Sequence, residues 1–587
     1  MAGIEELSGC SASLGHYQSA LESALMEIRD KGILSRIWLH DYTVWKPDPA
    51  EITNRLGWLH VSEMMMEMLP SIRSIVEEIR HEGYTHALLM GMGGSSLSPE
   101  VFRFTFGVKD GYLDLSVLDS TAPGAVAAFS EKLDPSKTLY IASTKSGGTV
   151  ETQSFLKYFF NRTIDALGPQ KAGEHFIAIT DPGSGLETMA EMLNFRKIFL
   201  NDPNIGGRYS ALSYFGLVPA ALIGVDLTTL LDRAATMVCN NEGCNCPVGG
   251  DNSGAWLGAI IGELANAGRD KLTLVLSPPI FHFGAWVEQL IAESTGKEGK
   301  GILPVDGEAL LSSDAYADDR IFVYLRLKGD VTYDEKIKGL KKAGYPVVQI
   351  NLQDIYDLGA EFFRWEMATA VAGYRLGINP FDQPNVESAK VVTRQMLSAY
   401  QKDGELHELT PTVKSGGIVV YADQPAETPE KALNTFLSQA QAGDKLGRRR
   451  SYVALQAYLT PSSETDEGLS LLRKGIQAGT KMATTTGYGP RFLHSTGQLH
   501  KGDGGHGLFI QVTERIHKDE AIPDKAGERA SSVSFGVLKM AQALGDRQAL
   551  IDAGRKVIRF HLEEEVKDGL SRLAEAVKEI SSDQLQR

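Results

Sequence analysis

The stretch HALLMGMGGSSL, His86–Leu97, decides the fold. A short apolar run, a glycine-rich turn and the start of a helical pattern follow one another without a break. An uninterrupted apolar run of this length reads as a strand buried on both faces. In the turn Gly91-Met92-Gly93-Gly94-Ser95-Ser96-Leu97 the glycines let backbone approach an anion. The helix start behind it offers free N–H groups and a favourable dipole, and the serines add donors. The spacing is not the Gly-x-Gly-x-x-Gly of dinucleotide sites. Further along, Leu113–Leu118, Thr138–Ser143 and His175–Thr180 read the same way, with helical periodicity between them, as in Thr149–Phe160. Strand, turn and helix in alternation predict a doubly wound parallel sheet.

A second such set begins near 250. Its strands are expected at Leu272–Leu276, Ile321–Leu325 and Val347–Ile350, and its helices at Ala255–Ala265, Phe283–Glu293, Glu361–Tyr374 and Val386–Gln401. Polar sequence at 403–415 suggests a boundary, after which Tyr452–Tyr458, Lys481–Thr485, Leu508–Val512 and Lys556–Phe560 read as strands. The fold class expected is α/β, with two doubly wound parallel-sheet domains at 76–240 and 241–403, a C-terminal α/β segment at 404–587 and a helical leader at 1–75. Trp38, Trp45 and Trp58 would pin the leader to the body, and Met64-Met65-Met66 reads as core filler.

The chain has 587 residues, 43% of them hydrophobic and 23% charged, as in soluble globular proteins. Its net charge of −15 argues against nucleic-acid or membrane-surface binding. No apolar run of membrane-spanning length and no secretory signal is present, so a cytoplasmic setting is expected. Cys10, Cys239, Cys244 and Cys246 make no disulfide framework, and their spacing fits no common zinc pattern. The run Arg448-Arg449-Arg450 reads as a solvated edge.

The third strand ends in Ser143-Thr144-Lys145-Ser146-Gly147-Gly148-Thr149-Val150-Glu151-Thr152, a second hydroxyl-rich turn at a strand's carboxyl end, where open α/β sheets bind ligands. Together with the first turn it resembles the sugar isomerase domain, a module that binds phosphosugars. The resemblance implies substrate binding by Gly94, Ser95, Thr144, Lys145, Ser146 and Thr149. Three further motifs narrow it: Gly206-Gly207-Arg208-Tyr209-Ser210; Gln289 four residues before Glu293 in Glu293-Ser294-Thr295-Gly296-Lys297; and Gln383 with Lys390 in Phe381-Asp382-Gln383-Pro384-Asn385-Val386-Glu387-Ser388-Ala389-Lys390. These resemble the phosphoglucose isomerase family, whose members interconvert glucose 6-phosphate and fructose 6-phosphate without metal or organic cofactor. The resemblance implies that Glu293 is the base moving a proton between C2 and C1, that Arg208 stabilises the enediolate, that Lys390 assists ring opening, and that Gln289 and Gln383 bind substrate. Proton abstraction α to a carbonyl needs such a set.

The family's ring-opening histidine has no counterpart between Ser294 and Ala389, which contain no histidine. Ser495-Thr496-Gly497-Gln498-Leu499-His500 is similar to the family's Thr-Asn-Gly-Gln-His, so His494 or His500 is expected to take that role, an ordinary polar loop being the alternative. A metal site at His500, Asp503 and His506 is weakly suggested, and none is expected. The extension resembles the isomerase half of bifunctional transaldolase/glucose-6-phosphate isomerase proteins. A transaldolase barrel takes about 250 residues, so no transaldolase activity is expected. Activity on mannose 6-phosphate as well, with Thr295 and Gln289 deciding, and a non-catalytic phosphosugar-binding module are the other readings. Either a homodimer or a monomer is compatible.

Overall fold

The structure is a computed structural model and describes residues 6, 7, 9–245, 251–406, 409–443 and 450–578. The first sheet holds His86–Gly91, Asp114–Leu118, Thr138–Ser143, Phe176–Thr180 and Lys197–Leu200, all parallel. Numbered along the chain, their order across the sheet is 2-1-3-4-5. The last strand, Lys-Ile-Phe-Leu, went unread because an edge strand needs only one buried position, here Phe199.

The second sheet has the same core order, 2-1-3-4, from Lys271–Leu276, Leu303–Val305, Arg320–Leu327 and Val347–Leu352. Cys10–Ser13 extends it, antiparallel to Val347–Leu352, so the leader is not wholly helical. The third sheet repeats the order with Tyr452–Tyr458, Thr484–Tyr488, Gly507–Glu514 and Lys556–Leu562, followed by the antiparallel Ile418–Tyr421 and Val413–Ser415. The expected strand at Lys481–Thr485 starts later because Lys481, at φ +59°, closes the preceding helix Ser463–Thr480 in the left-handed conformation.

In this order the connections leave strand 1 for opposite sides, and a crevice opens between the carboxyl ends of strands 1 and 3. In the first sheet both hydroxyl-rich turns flank that crevice. In the third it is closed from within: the Thr460 N–H and hydroxyl both donate to Glu514 Oε1 at 2.8 Å, and the Lys539 ammonium donates to the same oxygen at 2.8 Å.

Helix Leu358–Leu376 is buried along nearly its whole length and forms the centre of the main core. The leader is pinned to that core. The Trp45 indole N–H donates to the Ala370 carbonyl, that of Trp38 to Asn241, and Trp58 is fully buried. Of the methionine run, Met65 is buried and Met64 is exposed. Helix Val386–Asp403 lies against Phe535–Asp552 of the third sheet's layer, where a Cβ on Gly545 would stand 2.5 Å from the Thr393 hydroxyl. Among the described cysteines, Cys239 and Cys244 are exposed free thiols and Cys10 is buried. Cys246, Arg448 and Arg449 lie outside the described residues, and Arg450 pairs with Asp318 at 2.8 Å.

Candidate active site

Two of the sequence motifs meet at the crevice of the first sheet. Gly94 opens the helix Gly94–Phe106, and a Cβ there would lie 1.9 Å from the Gly207 carbonyl oxygen, so only glycine lets this turn touch the Arg208 turn. A Cβ on the neighbouring Gly93, at φ +55°, would lie 2.7 Å from the His494 carbonyl oxygen. Three chain segments far apart in sequence therefore share one point of backbone contact.

Arg208 is buried, its side chain only 2% exposed. Its Nε donates to Ser294 Oγ at 2.7 Å, Nη1 to Gln383 Oε1 at 3.0 Å, and Nη2 to the Pro380 and Asp382 carbonyls at 2.8 and 3.0 Å. Four of its five N–H donors are thus engaged. Nη1 also stands 3.3 Å from Glu293 Oε1. The other Glu293 oxygen accepts from Gln289 Nε2 at 3.1 Å, and the same amide donates to the His494 carbonyl at 2.9 Å. Gln289 and Glu293 meet because four residues make one helical turn within Phe283–Thr295. Lys297 closes the cluster, donating to Asp382 Oδ1 at 2.7 Å. Burial first and the nearby Arg208 charge second lower its ammonium to about 8.

A cavity of about 360 Å³ lies beside this cluster. Ser146, Thr149, Glu151, Lys390, His494 and Gln542 are among its lining residues. The Thr144 and Thr149 hydroxyls are 3.0 Å apart, and the Ser146 hydroxyl accepts from the Gly148 N–H. Ser95 is buried at the first turn, its carbonyl accepting from the Ser143 hydroxyl. Lys390 is 44% exposed and stands 4.0 Å from Glu387, loosely held. His494 Nε2 lies 2.9 Å from Glu151 Oε1. Burial works to raise the Glu151 carboxyl, but the adjoining His494 imidazole, with Lys390 farther off, outweighs it and holds it below the ordinary range.

Three expected site residues stand elsewhere. The Lys145 ammonium is bound by the Asp181 carboxylate and the Pro203 carbonyl and does not line the cavity. His500 is buried between Phe492 and Phe509, and neither ring nitrogen has a hydrogen-bond partner. Burial, then the Lys501 and Arg555 charges, hold it well below the usual imidazole range. It is walled off from the cavity that His494 lines. The Thr295 hydroxyl is spent inside its own helix end, donating to the Ile291 carbonyl and accepting from the Ile302 N–H, so it faces no substrate. Asp503 binds Tyr452 and Arg555 rather than converging with His500.

The sequence reading missed Glu151, Gln498 and Ser294. Glu151 sits in the first turn of helix Val150–Leu167, where a carboxylate ordinarily serves the helix dipole in solvent, and only its burial marks it. Gln498 clamps the site: its Nε2 donates to the Gly296 carbonyl and to Asn385 Oδ1, and its Oε1 accepts from the Asn385 N–H at 2.8 Å.

Parallel sheets of this order, with hydroxyl-rich turns at the crevice of the first, place the chain in the class of doubly wound α/β folds. More particularly, residues 59–302 match the family model "Phosphoglucose isomerase". A glucose-6-phosphate isomerase of Rubrobacter xylanophilus is 28% identical over 380 residues, 56% of this chain and 86% of the relative. One of Parabacteroides distasonis is 27% identical over 401 residues, 60% of this chain and 89% of the relative. Among solved structures, a glucose-6-phosphate isomerase of Chlamydia trachomatis superposes with a TM-score of 0.57 at 17% identity, covering 68% of this chain and 90% of its own.

Proposed function

We propose that the chain is a glucose-6-phosphate isomerase, an aldose–ketose isomerase interconverting glucose 6-phosphate and fructose 6-phosphate. One observation carries the mechanism: a single amide, Gln289, ties the Glu293 carboxylate to the backbone of His494. Base and acid are thereby held on one frame beside the cavity that Lys390 and the Ser146–Thr149 turn line.

The phosphate is taken by the hydroxyls of Ser146, Thr149 and Thr144 and by the Gly94–Ser95 turn. His494, oriented by Glu151 and with Lys390 assisting, protonates the ring oxygen as the hydroxyl on C1 or C2 loses its proton to water, and the chain form opens. Glu293 then removes the proton from C2 of the aldose, and electrons move to the carbonyl oxygen to give the enediolate. Returned to C1 while the C2 hydroxyl proton passes to O1, the same proton yields the ketose. Arg208 stands beside Glu293 and offers its fixed positive charge to the developing oxyanion. Its N–H donors hold the Pro380–Gln383 loop, so it organises the site as much as it stabilises charge. No step calls on a metal or an organic cofactor.

The site proposed here draws all its groups from one chain, a reading compatible with either a homodimer or a monomer. The net charge of −15 fits a small anion bound locally rather than nucleic acid, and free thiols fit a reducing cytoplasm. The test is turnover of fructose 6-phosphate to glucose 6-phosphate, with mannose 6-phosphate as a parallel substrate. Steady glucose 6-phosphate production supports the proposal. Tight binding of both hexose phosphates without turnover would replace it with a binding module.

A further inference from the structure

The carboxylate that orients His494 is itself held by a residue from the last third of the chain. Gln542, on helix Phe535–Asp552, is 2% exposed, and its Nε2 donates to Glu151 Oε1 at 2.7 Å. This is the same oxygen that His494 Nε2 approaches. The amide cannot turn over without loss, because its Oε1 would then face the acceptor-only Glu151 carboxylate; as placed, that oxygen accepts from the fully buried Thr121 hydroxyl at 2.8 Å. Its backbone carbonyl accepts from Tyr458. A chain Thr121–Gln542–Glu151–His494 thus crosses from the first sheet to the third layer and ends in the cavity.

We infer that Gln542 is a positioning residue for the His494–Glu151 pair, fixing the carboxylate and sharing its charge so that the imidazole can give up its proton to the sugar. The inference rests on His494 being the ring-opening acid. Lys390 faces the Glu151 carboxylate from helix Val386–Asp403, and Tyr458 lies near it on its strand. Asp546, next along Gln542's helix, is neutralised by Lys501 at 2.6 Å. None of these donates a hydrogen bond to Glu151. With the amide gone, the whole carboxylate charge acts on the imidazole, and the pair holds its proton more tightly.

The test is a pH titration of the full chain by histidine-labelled NMR, the His494 signal being assigned by its loss in His494→Ala. Gln542→Met should move the titration of the pair up by about one pH unit. Thr121→Val, which removes the hydroxyl that holds the far end of the amide, should move it the same way by less. The acidic limb of turnover should move with it. A fall in thermal stability with no movement of the titration in either variant would overturn the inference, leaving Gln542 a packing residue. Should Gln542→Met fail to fold, an unmoved titration in Thr121→Val suffices to overturn it. A titration that moves while the turnover limb stays put upholds the positioning and sinks the ring-opening role of His494 instead.

Discussion

At the scale of single residues, the two histidines separate on burial and partners alone. His494 faces the cavity against a carboxylate, whereas His500 sits among aromatic rings with both nitrogens unpaired. Replacing a buried, unpaired polar side chain by an apolar one of similar volume removes an unmet desolvation cost. His500→Leu should therefore keep turnover within about twofold and leave thermal stability unchanged or raised. His494→Ala should cut turnover roughly 10²–10⁴-fold, the usual contribution of a general acid. Glu293→Gln should lose a similar factor and stop exchange of the C2 proton with solvent, read by NMR in deuterated water. The sequence named both histidines but offered no means of choosing, because the choice depends on side-chain environment and not on motif spacing. It placed Glu293 and Gln289 correctly on one helical turn, since that contact is local. Glu151 and Gln542, 391 residues apart, had no local signal.

At the scale of elements, the strands and helices around the site were legible because buried parallel strands are continuous apolar runs, and the turn glycines stand at their ends. What could not be read was which turns touch. The Gly94 turn meets the Gly207 carbonyl so closely that a methyl group has no room, 1.9 Å away. Gly94→Ala must force the two turns apart. Overpacking of this kind costs about 1–3 kcal/mol, and a displacement of about 1 Å at a catalytic frame costs on the order of 10² in rate. Both effects are expected together, measured by denaturant unfolding and by kcat/KM. Unchanged kinetics would mean that the turn contact does not set the site.

At the scale of the whole molecule, the third α/β layer helps to line the candidate active site. It brings His494 and Gln542 to a cavity otherwise built from the first two sheets, and Gln498 fastens it to Gly296 and Asn385. Mixing Glu293→Gln with His494→Ala should accordingly restore no activity, since each chain carries its own acid and base. Recovery towards a quarter of wild-type turnover would instead reveal a site shared between subunits.

The same interface carries a pH signature. Burial first, then Asp306, raises the Glu288 carboxyl to about 8. A folded-state value above the unfolded one gives stability that is full below the unfolded value and is lost as pH rises through about 8. Between pH 5 and 8 the wild type should lose about 3–4 kcal/mol relative to Glu288→Gln, compared by unfolding at each pH.

The division of labour between His494 and Glu293 is tested most directly by the exchange of α and β glucose 6-phosphate, followed by NMR magnetisation transfer. Anomers interconvert through the open chain, so the exchange reports ring opening without isomerisation. Glu293→Gln should still catalyse the exchange while making no fructose 6-phosphate, and adding His494→Ala should abolish it. Exchange that survives the loss of His494 would contradict the mechanism and assign ring opening to another group.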